Sequence, residues 1–278
     1  MTARHAAPKS NGRRRSTARN RRTLLTVTAL AGLSAVMVTA AAPGQAAAPK
    51  SREIVASYQK AKRGGGDERA FLRENRLLER VSDKINKRLK IPGTIRMAGR
   101  SCGNTDVAYD PEKSRIDVCY EFVAEVREMF EDAGGKNVRG STAGVVSETL
   151  YHETAHALID KLALPYTGRE EDVADQFAAY NLIPQGMAGQ RALLAAAENF
   201  HLYAIEEGQK VDFSDEHSPS AARAATYRSY LYGANPKRWK KLVDGKQLTR
   251  ARSELSGYEY ADLRRGWNHL LAPHRQRG

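Results

Sequence analysis

The chain has 278 residues, of which 41% are hydrophobic and 28% charged, a composition typical of a globular protein with a buried core and not of a disordered chain. Its formal net charge is +13, but residues 1–49 contain eight basic side chains and no acidic one, which leaves +5 for the rest. We therefore expect a mildly basic, solvated surface and no nucleic-acid partner, with DNA or RNA binding as the less favoured alternative.

Residues 1–46 have the order of segments that is typical of a secretory signal peptide. Basic side chains precede an apolar run at residues 23–42, and small residues follow it. Arg21 and Arg22, just before the run, resemble a twin-arginine export signal. The general secretory route is the alternative, and an uncleaved anchor is another, because about 20 apolar residues can span a bilayer. We expect cleavage after Ala46 and a secreted mature protein with no stable membrane insertion.

Residues 47–66 are polar and end in a glycine run, and we expect a flexible lead-in to one domain over residues 67–278. Apolar residues at steps of three and four predict a first helix with Asp67 as its N-cap and its end near Leu89. A short β-rich region follows, with strands expected at residues 95–97, 107–109 and 115–118.

The chain has two cysteines, Cys102 and Cys119, which lie on either side of the last two predicted strands. The sequence between these strands, residues 110–113, is typical of a turn. A hairpin would bring the two thiols together, and an oxidising compartment would allow a disulfide. The alternative is a pair of buried free thiols, and the absence of a CxxC pair argues against a metal role.

The rest of the chain is predicted to be helical. A helix is expected from Tyr120 to a glycine pair at residues 134–135, and another from about Ser141 to Leu162. Further helices are expected at residues 169–182, 187–207, 219–232, 236–243 and 258–271. The fold class is therefore α+β, mostly helical, with a small β-sheet before the helix that ends at Leu162.

Two histidines lie four residues apart in the stretch YHETAHALID, residues 151–160. Residues i and i+4 share one face of a helix, so His152 and His156 can direct two imidazole nitrogens at one metal ion. Glu153 is rotated from His152 by about 100° around the helix, so it can take a proton from water beside the metal and need not bind the ion itself. The alternative is a chance match on a helix without metal.

A third ligand is predicted on the next helix, in the stretch GREEDVADQFAAY. Glu171 and Asp175 share one helix face, and the loop before them is short enough to fold this helix back on the first. Glu171 can then bind the metal, and Asp175 can accept the outer N–H of a ligand histidine. Glu170 and Asp172 are the alternatives to Glu171, because carboxylates are also favoured in any first helical turn.

The two helices together resemble the gluzincin metallopeptidases, in which a Glu-x-x-x-Asp helix follows HExxH. More closely, the chain resembles a family of secreted bacterial metallopeptidases of unknown function. That resemblance covers roughly residues 70–274 and follows an ordered series of segments: CGNTDVAYDP, DVCYE, YHETAHALID, GREEDVADQFA, SDEHSPSAAR, LYG and GWNHLLAPH. It implies a zincin-like, gluzincin-type domain with Zn²⁺ bound by His152, His156 and Glu171, and with Glu153 as the catalytic carboxylate.

The chain departs from this family at one point. The family commonly has a second cysteine pair, near LYG and before the EY of the C-terminal segment, where this chain has Ser229 and Ser256. The departure removes a covalent link from the C-terminal half and leaves the residues of the metal site unchanged.

His217 is a further catalytic candidate. It directly precedes Ser218, a predicted helix N-cap, so it would lie at a positively polarised helix end. It can enter the cleft and bind the oxyanion that forms as water attacks; alternatively, it forms a solvated cap with Asp215 and Glu216. Arg223, farther along the same helix, can pair with a carboxylate that supports the metal site.

The sequence therefore predicts a secreted zinc metallopeptidase that acts on a peptide or protein substrate. The predicted sheet could bind a peptide along its edge as an extra strand. A cell-envelope protein that uses zinc only for stability is the alternative from another class, although a scaffold has no need of Glu153. A zinc amidase acting on cell-wall or small amide substrates is the third.

Overall fold

The computed structural model describes residues 53–62 and 64–276. The predicted signal peptide, residues 1–46, lies outside the described residues. No helix in the described part of the chain combines the length and the apolar composition that a membrane span requires.

A four-stranded sheet contains β1 (Ile54–Tyr58), β2 (Ile95–Arg100), β3 (Val107–Asp110) and β4 (Arg115–Cys119), in the order β1-β2-β4-β3. β1, β2 and β4 are parallel, whereas β3 is antiparallel to β4, with which it forms a hairpin. β3 is therefore an edge strand.

β1 corrects the expectation of a flexible lead-in over residues 47–66. Residues 54–58 form a strand because Ile54 is buried in the core and its backbone forms hydrogen bonds with a side chain of α2, the helix at residues 77–86. The Asn86 side chain accepts a hydrogen bond from the Ile54 N–H and donates one to its carbonyl, each at 2.9 Å. These contacts come from a helix 32 residues away, so local patterning could not reveal them.

The helices in the described residues are α1 (Gly66–Glu74), α2 (Leu77–Asn86), α3 (Tyr120–Asp132), α4 (Val138–Leu162), α5 (Glu170–Leu182), α6 (Met187–Glu207), α7 (Ser220–Ala234), α8 (Pro236–Trp239) and α9 (Arg250–Leu271). The helical content and the small sheet confirm the predicted α+β class.

Several helix boundaries differ from the predicted ones: α4 begins at Val138, before the expected Ser141, and α8 ends at Trp239, before the expected residue 243. The expected single first helix is broken into α1 and α2 at Arg76, whose φ of 49° is left-handed. α7 begins at Ser220, with Pro219 and not Ser218 at the N-cap position. α9 begins eight residues earlier than predicted because Thr249 caps it, accepting a hydrogen bond from the Arg252 N–H at 3.2 Å.

α4 is the central helix, with buried residues on nearly every side. It packs against α3, α5 and α6 and also contacts β3. A side chain at Gly144 would place its Cβ 2.9 Å from the Ala192 Cα on α6, so α4 and α6 approach closely there. A helix enclosed in this way can hold its polar side chains in fixed positions away from bulk water.

The predicted disulfide between Cys102 and Cys119 is confirmed. Cys102 follows β2, and Cys119 is the last residue of β4. The bond therefore joins the two ends of the segment that forms the β3–β4 hairpin.

The two serines that stand in place of the expected second cysteine pair are in contact. Ser229 on α7 and Ser256 on α9 are both fully buried, and their hydroxyl oxygens are 2.7 Å apart. Ser229 also donates a hydrogen bond to Glu259 at 2.9 Å. A polar contact thus joins α7 and α9 at the point where a disulfide would fit.

The double variant Ser229→Cys/Ser256→Cys is expected to form a disulfide and to raise the free energy of unfolding. The serines are 27 residues apart, and closing a loop of this length removes roughly 3 kcal/mol of unfolded-state entropy. Denaturant unfolding with and without a reductant measures the gain, with Ser256→Cys alone as control. Because the reductant also breaks the native Cys102–Cys119 bond, the prediction is contradicted if oxidation stabilises the double variant no more than it stabilises Ser256→Cys.

Candidate metal centre

The centre of the site is formed by two histidines of α4 and one glutamate of α5. The Nε2 atoms of His152 and His156 are 3.2 Å apart. The Glu171 Oε2 atom lies 2.9 Å from the first of these nitrogens and 3.3 Å from the second. Helical spacing aligns the two histidines, and the turn between α4 and α5 brings Glu171 against them.

The outer nitrogen of each histidine faces a different carboxylate. His152 Nδ1 lies 2.9 Å from Asp175 Oδ1, and His156 Nδ1 lies 2.9 Å from Glu170 Oε1. Tyr166 donates a hydrogen bond to the other oxygen of Glu170 at 2.7 Å. With both outer nitrogens donating, both Nε2 lone pairs point to the centre of the site. Glu170, predicted only as an alternative ligand, is therefore the partner of His156.

The electrostatics of the site favour positive charge. Burial opposes the charged form of His152, but hydrogen bonds to Asp175 and Glu171 outweigh it and raise the pKa of His152 to about 10. Burial would raise the pKa of Glu171, yet hydrogen bonds from His152, His156 and His217 hold that pKa well below its usual range. The lone pairs of the histidine nitrogens and the Glu171 oxygen converge at the centre, and they can bind either a proton or a metal ion there.

The donor atoms fit a tetrahedral metal ion. Zn–N bonds of about 2.0–2.1 Å at tetrahedral angles place ligand atoms roughly 3.3 Å apart. The three central atoms of His152, His156 and Glu171 are separated by 2.9, 3.2 and 3.3 Å. Two imidazoles, whose outer nitrogens face Asp175 and Glu170, and one carboxylate are a donor set that suits zinc.

Glu153 lies beside these atoms, on the side of strand β3. It is buried, and its Oε2 accepts a hydrogen bond from the Tyr109 N–H at 2.7 Å. Burial raises the pKa of Glu153, and the charges of His152 and His156 oppose that rise. Glu153 is thus a fixed carboxylate next to the candidate metal ligands.

Asp175 connects His152 to a buried network that the sequence analysis did not fully predict. Arg223 donates two hydrogen bonds to Asp175, at 2.8 and 2.7 Å, so Arg223 pairs with a carboxylate behind the metal site. The Tyr227 hydroxyl lies within hydrogen-bond distance of both Asp175, at 3.0 Å, and Glu148, and its single proton is donated to one of these carboxylates at a time. Burial, and then the charge of Asp175, raises the pKa of Glu148 to about 7.

The sequence carried a partial signal for this network. Glu148 lies one turn before His152 on α4, so its side chain is on the same face of the helix as those of His152 and His156. Tyr227 and Glu148 are 79 residues apart, and only the packing of α7 against the site brings them together.

His217 reaches the centre from the segment before α7. Its Nε2 lies 3.0 Å from Glu171 Oε2, and its Nδ1 lies 3.1 Å from Asp215 Oδ1. Its side chain is 41% exposed. One nitrogen of His217 thus faces the site and the other binds Asp215. The role of His217 in binding an oxyanion stays a prediction. His152, Glu171 and His217 also form a group whose possible ligand atoms lie within 4.8 Å of one another.

The comparison with protein families agrees with this geometry. The model of a family described as "Putative metallopeptidase", DUF4344, matches residues 58–271, more than half of the chain. The chain belongs to the DUF4344 family. No curated protein and no solved structure matches it. The family and the group of possible ligands together indicate a metal ion and a hydrolase.

In this DUF4344 protein, Arg169 holds the segment that carries His217. Its guanidinium group donates hydrogen bonds to the carbonyls of Asp215 and His217, at 3.0 and 2.9 Å, and to that of Phe213 at 3.4 Å. Arg169 directly precedes α5. One side chain therefore fixes the position of His217 relative to the helix of Glu171.

If His217 acts on the substrate, replacement of Arg169 by Gln is expected to lower kcat by roughly 10- to 100-fold, because a small displacement of such a group costs about this much. Zinc content and KM should change little, since Arg169 contacts neither the metal ligands nor the cleft. Arg169→Lys should recover only part of the loss, because an ammonium group cannot span three carbonyls as a guanidinium does. A kcat equal to that of the native protein would contradict the prediction.

A cavity of about 880 Å³ lies between α5, α7 and α9, beside the metal-binding residues. Asp175 and Arg223 form part of its wall, and Tyr230, Leu263 and Trp267 contribute apolar surface. In this DUF4344 protein, the Asp175–Arg223 pair therefore separates His152 from a space large enough for several side chains of a peptide.

Proposed function

We propose that the protein is a secreted zinc metallopeptidase. His152, His156 and Glu171 are the zinc ligands, and Glu153 is the general base. The observation that supports this most is the convergence of two Nε2 atoms and one carboxylate oxygen within 3.3 Å, with Glu153 fixed beside them. The signal-like residues 1–46 and the disulfide support an extracytoplasmic location.

When bound, zinc supplies a Lewis acid that acidifies water and polarises a carbonyl. The residues of the chain perform the proton transfers. Glu153 takes a proton from the attacking water and later gives it to the leaving amine. Its buried environment, which raises the pKa of the carboxyl, suits a group that must both accept and return a proton near neutral pH.

His217 has a different role from Glu153 in this proposal. Its Nε2 is close to Glu171 and its other nitrogen is held by Asp215, so it can donate a hydrogen bond to the oxygen that becomes negative as the carbonyl is attacked. Asp175 keeps His152 in the tautomer that leaves Nε2 free for the metal.

The edge of β3 is the proposed binding surface for the peptide backbone. The Tyr109 N–H points away from β4, toward Glu153. Because backbone groups alternate in direction along an antiparallel strand, we expect those of Val107 to face the same open edge. A peptide that pairs with this edge as an added strand would bring its carbonyl close to Glu153. A complex with the peptide bound elsewhere would overturn this part of the proposal.

Two alternative functions differ from peptide hydrolysis, one in what it requires of Glu153 and the other in its substrate. A protein that uses zinc only for stability needs the ligands but no buried carboxylate beside them. A zinc amidase would use the same residues on a smaller or cell-wall substrate. Peptide-bond hydrolysis is favoured because the family is described as a metallopeptidase family and the edge strand suits an extended peptide.

The test begins with the full chain, expressed so that the processed protein can be recovered. Metal analysis is expected to find about one zinc per chain in the native protein and in Glu153→Gln, and none in His152→Ala. A peptide library digested by the native protein and by Glu153→Gln then reports activity and side-chain preference. Protein without zinc would overturn the site, and a zinc-loaded protein that leaves all peptides intact would overturn the activity.

A further inference from the structure

A second cavity, of about 490 Å³, lies at the opposite end of α4 from the metal-binding residues. It is enclosed by the start of α4, by α6 and α7, and by residues 241–247. The residues that matter for its chemistry are Gly140, Arg191, Glu198, Arg228, Lys241 and Asp244. We call it the Arg228 cavity.

Arg228 is a buried cation with incomplete hydrogen bonding. Its side chain is 2% exposed, and its Nη2 donates a hydrogen bond to Glu198 at 3.0 Å. Its Nη1 is buried and has no hydrogen-bond partner among the described residues. An unsatisfied N–H on a buried charge is costly, since nothing replaces the water that solvated it. An acceptor that enters the cavity would remove this cost.

Besides Arg228, two cations and two carboxylates line the cavity. Arg191 and Lys241 are exposed at its rim, and neither has an ion-pair partner in the part of the chain that the structure describes. Of the two carboxylates, Glu198 is already bonded to Arg228. An oxygen of Asp244 accepts hydrogen bonds from the backbone of residues 246–248. Three cations and two carboxylates thus line the cavity, a formal balance of 3 − 2 = +1, and hydrogen bonds already engage both carboxylates.

The N-terminus of α4 adds positive electrostatic potential to the cavity. α4 is 25 residues long, so its first turn carries about half a positive charge from the aligned peptide dipoles. Asn137 caps the Gly140 N–H at 3.3 Å, and both residues line the cavity.

We propose that the Arg228 cavity binds a phosphoryl group carried by a small organic molecule. A phosphate monoester has a charge of about −1.5 to −2 and three acceptor oxygens, which suits Arg228, Arg191 and Lys241 better than a singly charged carboxylate does. A volume of about 490 Å³ also leaves room for the organic part. The proposal is independent of zinc and of peptide hydrolysis.

Isothermal titration of the purified full-chain protein with glycerol 3-phosphate and with inorganic phosphate, at constant ionic strength, tests the proposal. We expect saturable binding, no comparable binding of acetate or chloride, and an unchanged zinc content. The variant Arg191→Gln/Lys241→Gln should weaken binding at least tenfold. The control Lys237→Gln/Arg238→Gln removes the same charges from nearby exposed positions outside the cavity and should change affinity less than twofold.

Arg228→Met should abolish binding. If loss of this buried residue prevents folding, the double variant Arg191→Gln/Lys241→Gln, called the rim variant, tests the proposal instead. Vesicles that contain phosphatidic acid distinguish the two sources of the phosphoryl group. Binding to vesicles that the rim variant loses would assign a lipid headgroup, and binding of glycerol 3-phosphate alone would assign a free monoester. No saturable binding by the native protein, equal binding by the rim variant, or equal binding of acetate would overturn the proposal.

Discussion

Glu153→Gln is expected to lower kcat by roughly 10²- to 10⁴-fold, the usual contribution of a general acid–base group, and to leave zinc bound. The substitution preserves the shape of the side chain. The amide oxygen can still accept the hydrogen bond that the Tyr109 N–H donates to Glu153 at 2.7 Å, so the fold of the site should persist. An amide cannot take the proton of an attacking water, and the loss should therefore appear in kcat and much less in KM.

The measurement is a comparison of kcat and KM on the best substrate from the peptide library, with zinc quantified in the same samples. Glu112→Gln makes the same chemical change on the exposed turn between β3 and β4 and should behave as the native protein. A Glu153→Gln variant with full zinc and full activity would exclude Glu153 as the base. A variant that loses its zinc would instead show that Glu153 supports the metal.

The central part of the site could be predicted from the sequence because it depends on two local regularities. Helical periodicity places His152 beside His156, and Glu171 on the same face as Asp175. The short connection between α4 and α5 then restricts how the two faces can meet. The fold class was predictable for the same reason, since helices and turns are recorded in local patterns.

The parts that could not be predicted depend on contacts between distant segments. β1 forms because Asn86 and β2 hold residues 54–58, although that segment alone looks like a polar linker. Tyr227 contacts Glu148, which is 79 residues away. Arg228 is buried because α7, the helix that carries it, packs against α6. The positions of these residues are determined by packing between distant segments, and a single sequence contains no periodic pattern that predicts such packing.

Glu171 and Glu170 are adjacent in sequence, and the structure gives them different positions, which leads to the second large prediction. Glu171→Gln is expected to weaken zinc binding on the order of 10³-fold. Zinc sites with four ligands bind the ion with a free energy of roughly 10–16 kcal/mol. One ligand therefore contributes about 3–4 kcal/mol, which corresponds to this loss of affinity. Glu170→Gln is expected to weaken it by about 10- to 100-fold, because Glu170 acts on the metal only through His156 Nδ1.

Competition with a chromophoric chelator measures both zinc affinities under the same conditions, and Asp172→Asn, which makes the same carboxylate-to-amide change, provides a matched control. Asp172 is the next residue on α5, lines the 880 Å³ cavity and has no partner in the metal site among the described residues. Its replacement should change zinc affinity less than threefold, on the order of 0.5 kcal/mol, as for other surface substitutions. If Glu170→Gln releases zinc more completely than Glu171→Gln, the ligand assignment is reversed and His156 must turn toward Glu170 when the metal binds. We expect the loss of zinc affinity to be largest for the Glu171 variant, smaller for the Glu170 variant and smallest for the Asp172 variant. Of these three carboxylates, only that of Glu171 lies within 3.3 Å of the Nε2 atoms of both His152 and His156.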